Sequence, residues 1–128
     1  MNQTPGELKY ASSHEWARLE EDGTVTVGIT DHAQSELGEI VYVEVETVGE
    51  TLASHEVFGT VEAVKTVSDL FLPLSGEIIE FNEGLEDEPE KVNSDPYGDG
   101  WMIKLKISDE SQIESLLSAD AYKELISA

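Results

Sequence analysis

The chain has 128 residues, the length of one domain spanning 1–128, and a 39% hydrophobic content that supplies a modest core. Seven basic residues against 28 acidic ones leave a net charge of −21, which argues against nucleic acid and anionic membranes as partners and for a monomer, with a field that helps steer it to basic surfaces on larger enzymes. There is no cysteine, so disulfides, thiolate metal sites and cysteine nucleophiles are excluded, and any sulfur redox chemistry must belong to an attached group.

Residues 1–7 show neither a basic-then-apolar signal nor an Arg-rich pattern, and no run approaches the roughly 20 apolar residues that span a bilayer. The expected location is the cytoplasm, or the mitochondrial matrix for a processed eukaryotic chain. Residues 16–19 and 24–29 flank Glu20-Glu21-Asp22-Gly23, whose Asp-Gly pair suits a tight hairpin with Val25, Val27 and Ile29 on one face. Residues 30–38 start at a capping Thr30 and stop at Gly38, which predicts a short helix. Residues 40–45 read as a strand with Val41, Val43 and Val45 on its core face and Ile40, Tyr42 and Glu44 on the other.

After a turn at Val48-Gly49-Glu50, residues 56–64 and 66–72 read as the arms of a hairpin with Lys65 at its junction, and a strand over 77–81 follows Pro73-Leu74-Ser75-Gly76. Residues 82–100 are acidic, rich in Gly and Pro and nearly aperiodic, which predicts a surface excursion with one helical turn near 83–86. Alternation resumes over 101–107, with Trp101, Ile103, Leu105 and Ile107 on one face and Met102, Lys104 and Lys106 on the other. From about 109 to 127 the spacing is helical: Ile113, Leu116 and Leu117 share a side that Tyr122, Leu125 and Ile126 repeat. Ser111-Gln112-Ile113-Glu114 fits a capping box, and Ser118 suits the cap of a second short helix. The whole pattern is mainly β with short helices.

His14, His32 and His55 show no metal-ligand spacing, so no metal site is expected. His32 follows a helix cap without a serine or cysteine motif and reads as structural, and Trp16 and Trp101 read as core aromatics. Lys65 is the only basic residue between Arg18 and Lys91, and spacing alone reads it as a solvated turn lysine.

Its surroundings say more. Glu62-Ala63-Val64-Lys65-Thr66-Val67-Ser68-Asp69, followed by Pro73-Leu74-Ser75-Gly76-Glu77, resembles the lipoylation region of glycine cleavage H proteins. Ser13-His14-Glu15-Trp16, Val27-Gly28-Ile29-Thr30-Asp31-His32-Ala33-Gln34, Asn93-Ser94-Asp95-Pro96-Tyr97 and Gly100-Trp101-Met102-Ile103-Lys104 resemble that family in the same order, so the likeness runs from about Lys9 to the terminal helices. Ala63 and Thr66 stand where the family more often has serine and alanine, and Val45-Glu46 where it usually has Leu-Pro. Biotin carriers share such a hairpin but usually flank the lysine with methionines, whereas Val64 and Thr66 flank it here.

The resemblance implies a lipoyl/biotinyl-carrier-like flattened β-barrel, or barrel-sandwich hybrid, with C-terminal helices. It implies lipoic acid joined to Lys65 by a lipoate ligase or octanoyltransferase, and a carrier with no catalytic activity of its own. Such a carrier takes an aminomethyl group from a pyridoxal-phosphate glycine decarboxylase to a tetrahydrofolate-dependent aminomethyltransferase and is reoxidised by the FAD enzyme dihydrolipoyl dehydrogenase. Ser13, Glu15 and Asp69 are the residues implied to shield the cationic, hydrolytically fragile cargo. Val61, Ala63, Val64 and Val67 are expected to hold the hairpin arms by cross-strand packing. An ordinary lysine amine is protonated at neutral pH, so the useful role of Lys65 is as an anchor. Two other readings are a lipoyl relay to other dehydrogenases and an unmodified β-rich interaction module.

Overall fold

The computed structural model describes residues 8–108 and 110–127. In chain order it forms β1 (Lys9–Tyr10), β2 (Glu15–Leu19), β3 (Thr24–Ile29), α1 (Asp31–Leu37), β4 (Ile40–Glu44), β5 (Thr51–Leu52), β6 (Val57–Ala63), β7 (Val67–Phe71), β8 (Gly76–Phe81), α2 (Gly84–Asp87), α3 (Lys91–Ser94), β9 (Ile103–Ile107), a 3-10 helix (Glu110–Ser115) and α4 (Ala119–Ser127). One sheet has the order β1-β2-β3-β9-β8-β5 and the other β4-β6-β7, with antiparallel pairing throughout. Among the described residues no ladder joins the two sheets. The architecture is therefore the mainly β barrel-sandwich hybrid that the resemblance implied, with its sheets packed face to face rather than closed.

Alternating β-branched residues explain the large sheet. Val25, Val27 and Ile29 of β3 and Ile103 and Leu105 of β9 turn inward and meet Ile40, Val43, Phe58, Val61 and Leu70 of the small sheet in one core. The β2–β3 hairpin closes at Gly23, whose φ of 88° suits glycine. Trp16 packs on Gly28, where a Cβ would come within 2.8 Å of the indole. Thr30 caps α1 by accepting from the Ala33 N–H, and Gly38 ends the helix by donating to Gln34 O.

Several local expectations change. The register of β4 shifts between Ile40 and Tyr42, so the bulge turns Ile40 and Val43 inward and leaves Val41 and Tyr42 each 44% exposed. Val64 and Val67 do not clamp the hairpin: they are 71% and 61% exposed beside Lys65, and Val61 and Ala63 carry the inward packing. Met102 is fully buried, while Trp101 is half-buried with the Lys104 ammonium 5.6 Å from its ring, because regular alternation begins only at Ile103.

Residues 82–100 carry two helical turns where one was expected, and bury Leu85 and Val92 in the main core. Ser111 lies inside the 3-10 helix, so the expected capping box is replaced by a tighter turn. Ser118 does cap α4, accepting from the Ala121 N–H at 3.2 Å. The inner residues of that helix, Ala119 and Tyr122, join Leu8, Tyr10 and Trp16 in a second cluster, while Leu125 stays exposed.

Candidate functional site

The β6–β7 hairpin ends in a tight turn in which Ala63 N–H donates to Thr66 O at 2.7 Å, leaving Lys65 exposed at the tip. The tip is fastened from outside. Val64 N–H donates to Glu39 O at 3.0 Å, and the Lys65 side chain lies over Gly38, where a Cβ would sit 3.3 Å from Lys65 Cε. The corner between α1 and β4 is thus the seat of the lysine. Among the described residues Lys65 has no ion-pair partner within 4.0 Å.

The same helix walls a cavity of about 300 Å³ lined by His14, Glu15, Ile29, His32, Ala33, Glu36, Leu37, Val61, Ser68 and Leu70. One part of this lining is aliphatic and the other carries ionisable groups. Glu15, only 2% exposed, accepts from the Phe71 N–H at 3.1 Å and from the Ser13 hydroxyl. Burial pushes its carboxyl up to about 7, although both hydrogen bonds pull the other way.

His14 stands at a left-handed φ of 78°, which turns its ring against α1 and α4. Its Nδ1 lies 2.7 Å from the Tyr122 hydroxyl, which is 2.7 Å from Thr30 Oγ1. Tyr122 is itself stacked on Tyr10 with centroids 4.8 Å apart. The His14 imidazole is held below its ordinary value by burial first and then by His32, whose ring is 5.1 Å away, while Glu36 opposes the shift. Glu36 also approaches His32 Nε2 at 3.7 Å.

The structure brings Ser13 to Glu15, which lines this cavity. It does not bring Asp69 there: Asp69 is exposed on β7 opposite Thr60, and its neighbours Ser68 and Leu70 face the cavity instead. The cavity lining also includes His14, Glu36 and Ser68, which sequence reasoning did not single out, and His32, which it read as structural; Tyr122 adjoins them through His14. The four-residue spacing of His32 and Glu36 on a capped helix was the available signal for that pair.

A buried carboxyl that ionises near neutrality, beside two imidazoles and an aliphatic wall, can hold a chain that is apolar along its length and cationic at its end. Among the described residues no group of three His, Cys, Asp or Glu could hold a metal ion, and no helix is long and apolar enough to cross a membrane.

The glycine cleavage H-protein family profile matches residues 8–128. The chain is 57% identical over 123 residues to the glycine cleavage system H protein of Psychrobacter sp. (strain PRwf-1), covering 96% of this chain and 98% of that one. It is 60% identical over 122 residues to the protein of that name from Bacteroides thetaiotaomicron, covering 95% and 96%. The crystal structure of a glycine cleavage system H protein from Mycobacterium marinum superposes with a TM-score of 0.86 at 39% identity, covering 97% of this chain and 99% of that chain. With profile, sequence and fold agreeing over nearly the whole length, the chain belongs to the glycine cleavage H-protein family.

Proposed function

We propose that the chain is the lipoyl-bearing shuttle of a glycine cleavage system, with lipoic acid in amide linkage to Lys65 Nζ. The observation that carries this reading is the juxtaposition of an exposed lysine tip with a half-aliphatic cavity walled by one helix, α1, whose C-terminal corner seats that tip. When bound, the group, held by Lys65, would supply a redox-active disulfide, the chemistry that an aminomethyl carrier needs between glycine decarboxylase, the tetrahydrofolate-dependent aminomethyltransferase and dihydrolipoyl dehydrogenase.

The chain's own residues anchor and shelter. Ile29, Ala33, Leu37, Val61 and Leu70 offer apolar surface to a hydrocarbon arm. Ionised Glu15 offers the only fully buried carboxylate oxygens among the described residues to a cationic amine, with Ser13 orienting one of them. Asp69, outside the cavity, contributes its charge from the solvent side of the hairpin. The carrier performs no step of the cycle itself; its contribution is the effective concentration of a tethered group at each docked enzyme. It works as a monomer, and the cytoplasm is its expected place.

Intact mass after coexpression with a lipoate ligase tests the reading. A single lipoyl addition that Lys65→Arg abolishes is the expected result, and addition at another lysine overturns the site. Failure of the modified chain to support glycine decarboxylation with purified partner enzymes would turn the reading towards a lipoyl relay.

A further inference from the structure

Residues 93–97, far from Lys65 in sequence, reach by hydrogen bonds to the helix that walls the cavity and to the strands beside it. Asn93 Nδ2 donates to Gly38 O at 2.8 Å and to Gln34 Oε1 at 2.9 Å, while its Oδ1 accepts from the Ile40 N–H at 2.9 Å. Pro96 O accepts from Trp16 Nε1 at 3.0 Å, and the Tyr97 hydroxyl accepts from the Asp31 N–H at 2.9 Å. Tyr97 thus holds the first turn of α1 and Asn93 the last.

A carbonyl can only accept and a backbone N–H can only donate, so Gly38 and Ile40 fix which way the Asn93 amide points. No other side chain of similar size presents a donor and an acceptor in this plane. Aspartate retains the acceptor for Ile40 but sets a carboxylate oxygen against the Gly38 carbonyl.

We infer that Asn93 is a positioning residue for the modified lysine: by clamping Gly38 and Ile40 it holds Glu39 O to receive the Val64 N–H and holds the Gly38 surface on which the Lys65 stem rests. The inference rests on the carrier reading for its consequence but not for its geometry. With the seat intact, the Lys65 stem is held against Gly38, the residue after Leu37 of the cavity lining. With the seat loosened, the tip is free to swing and its cargo spends less time sheltered.

Amide hydrogen exchange on the unmodified chain tests the geometry. In Asn93→Asp, and in Asn93→Ala should the aspartate variant fail to fold, Val64 exchange rises about tenfold, the effect of losing one hydrogen bond. Core amides of β3 and β9 keep their rates relative to global stability. Val92→Ala, on the same helical turn and buried, is the control: it lowers the melting temperature without this selective rise. An unchanged Val64 rate in both Asn93 variants, or the same selective rise in Val92→Ala, overturns the inference.

The second measurement is made on the isolated aminomethyl-loaded carrier, where R–S–CH2–NH3+ and water give R–SH, formaldehyde and ammonium. Formaldehyde release several-fold faster in Asn93→Asp than in Val92→Ala is expected. Equal release in the two variants would overturn the link from seat to cargo. If Lys65 proves unmodified, the exchange measurement still decides the geometry, so the two failures are distinguishable.

Discussion

Glu15 is a carboxyl with hydrogen bonds but, among the described residues, no cationic partner within ion-pair distance, and burial dominates its behaviour. Unfolding returns it from about 7 to an ordinary carboxylate value near 4.5. Between those values the folded chain binds more protons than the unfolded one, so this contribution is complete below about 4.5 and is lost as pH rises through about 7. Glu15→Gln removes the dependence while keeping an acceptor for Phe71 and a donor for Ser13. Denaturant unfolding across pH should show the variant gaining about 3 kcal/mol on the wild type between pH 4 and 8. If Glu15 shelters the cargo as proposed, the loaded variant should nevertheless release its aminomethyl group faster, because the charge proposed to meet the amine is gone. A variant that is both more stable above neutrality and a poorer shelter would separate the functional carboxylate from a structural one; unchanged release would remove Glu15 from the site.

At the scale of elements, α1 does two things: its inner face walls the cavity and its C-terminus seats the hairpin. Gly38 adopts φ 84° and ψ −155°, a region essentially confined to glycine. Gly38→Ala should cost about 1–3 kcal/mol by denaturant unfolding and displace the Lys65 stem, seen as a local change in amide shifts at residues 64–66. This helix was legible in the sequence because its stop and start are chemical signals, Thr30 and Gly38. The β2–β3 hairpin was legible for the same reason. The β4 faces were not, since a bulge inverts a period-two pattern without leaving a mark in composition. The 93–97 segment carries its information in long-range hydrogen bonds, which no local periodicity encodes. Lys65, Ser13 and Glu15 are proposed from motif likeness, whereas His14, Ser68 and Tyr122 enter the candidate site only through the tertiary arrangement that brings the residue before β2 near β7 and α4.

For the whole molecule, a charge of −21 on 128 residues produces a field that reaches beyond any single contact. Association with a basic docking surface on a partner enzyme should therefore slow as ionic strength rises from about 0.01 to 0.15 M, where screening shortens from roughly 30 to 8 Å. Stopped-flow association rates would check this, and a salt-independent rate would mean that docking is governed by apolar contacts such as Val64 and Val67. The lysine tip has a different relation to this field. In a chain with 28 acids, Lys65 makes no ion pair among the described residues, and its ammonium is in water. Converting that ammonium to an amide breaks no bridge and empties no packing site, so the unmodified form should stay folded in thermal melts, melting below the modified form only by what the arm gains on the apolar cavity wall. A cell short of lipoate would then accumulate a folded, protease-resistant reserve instead of clearing it, and supply of the cofactor alone would set how much of that pool is in service.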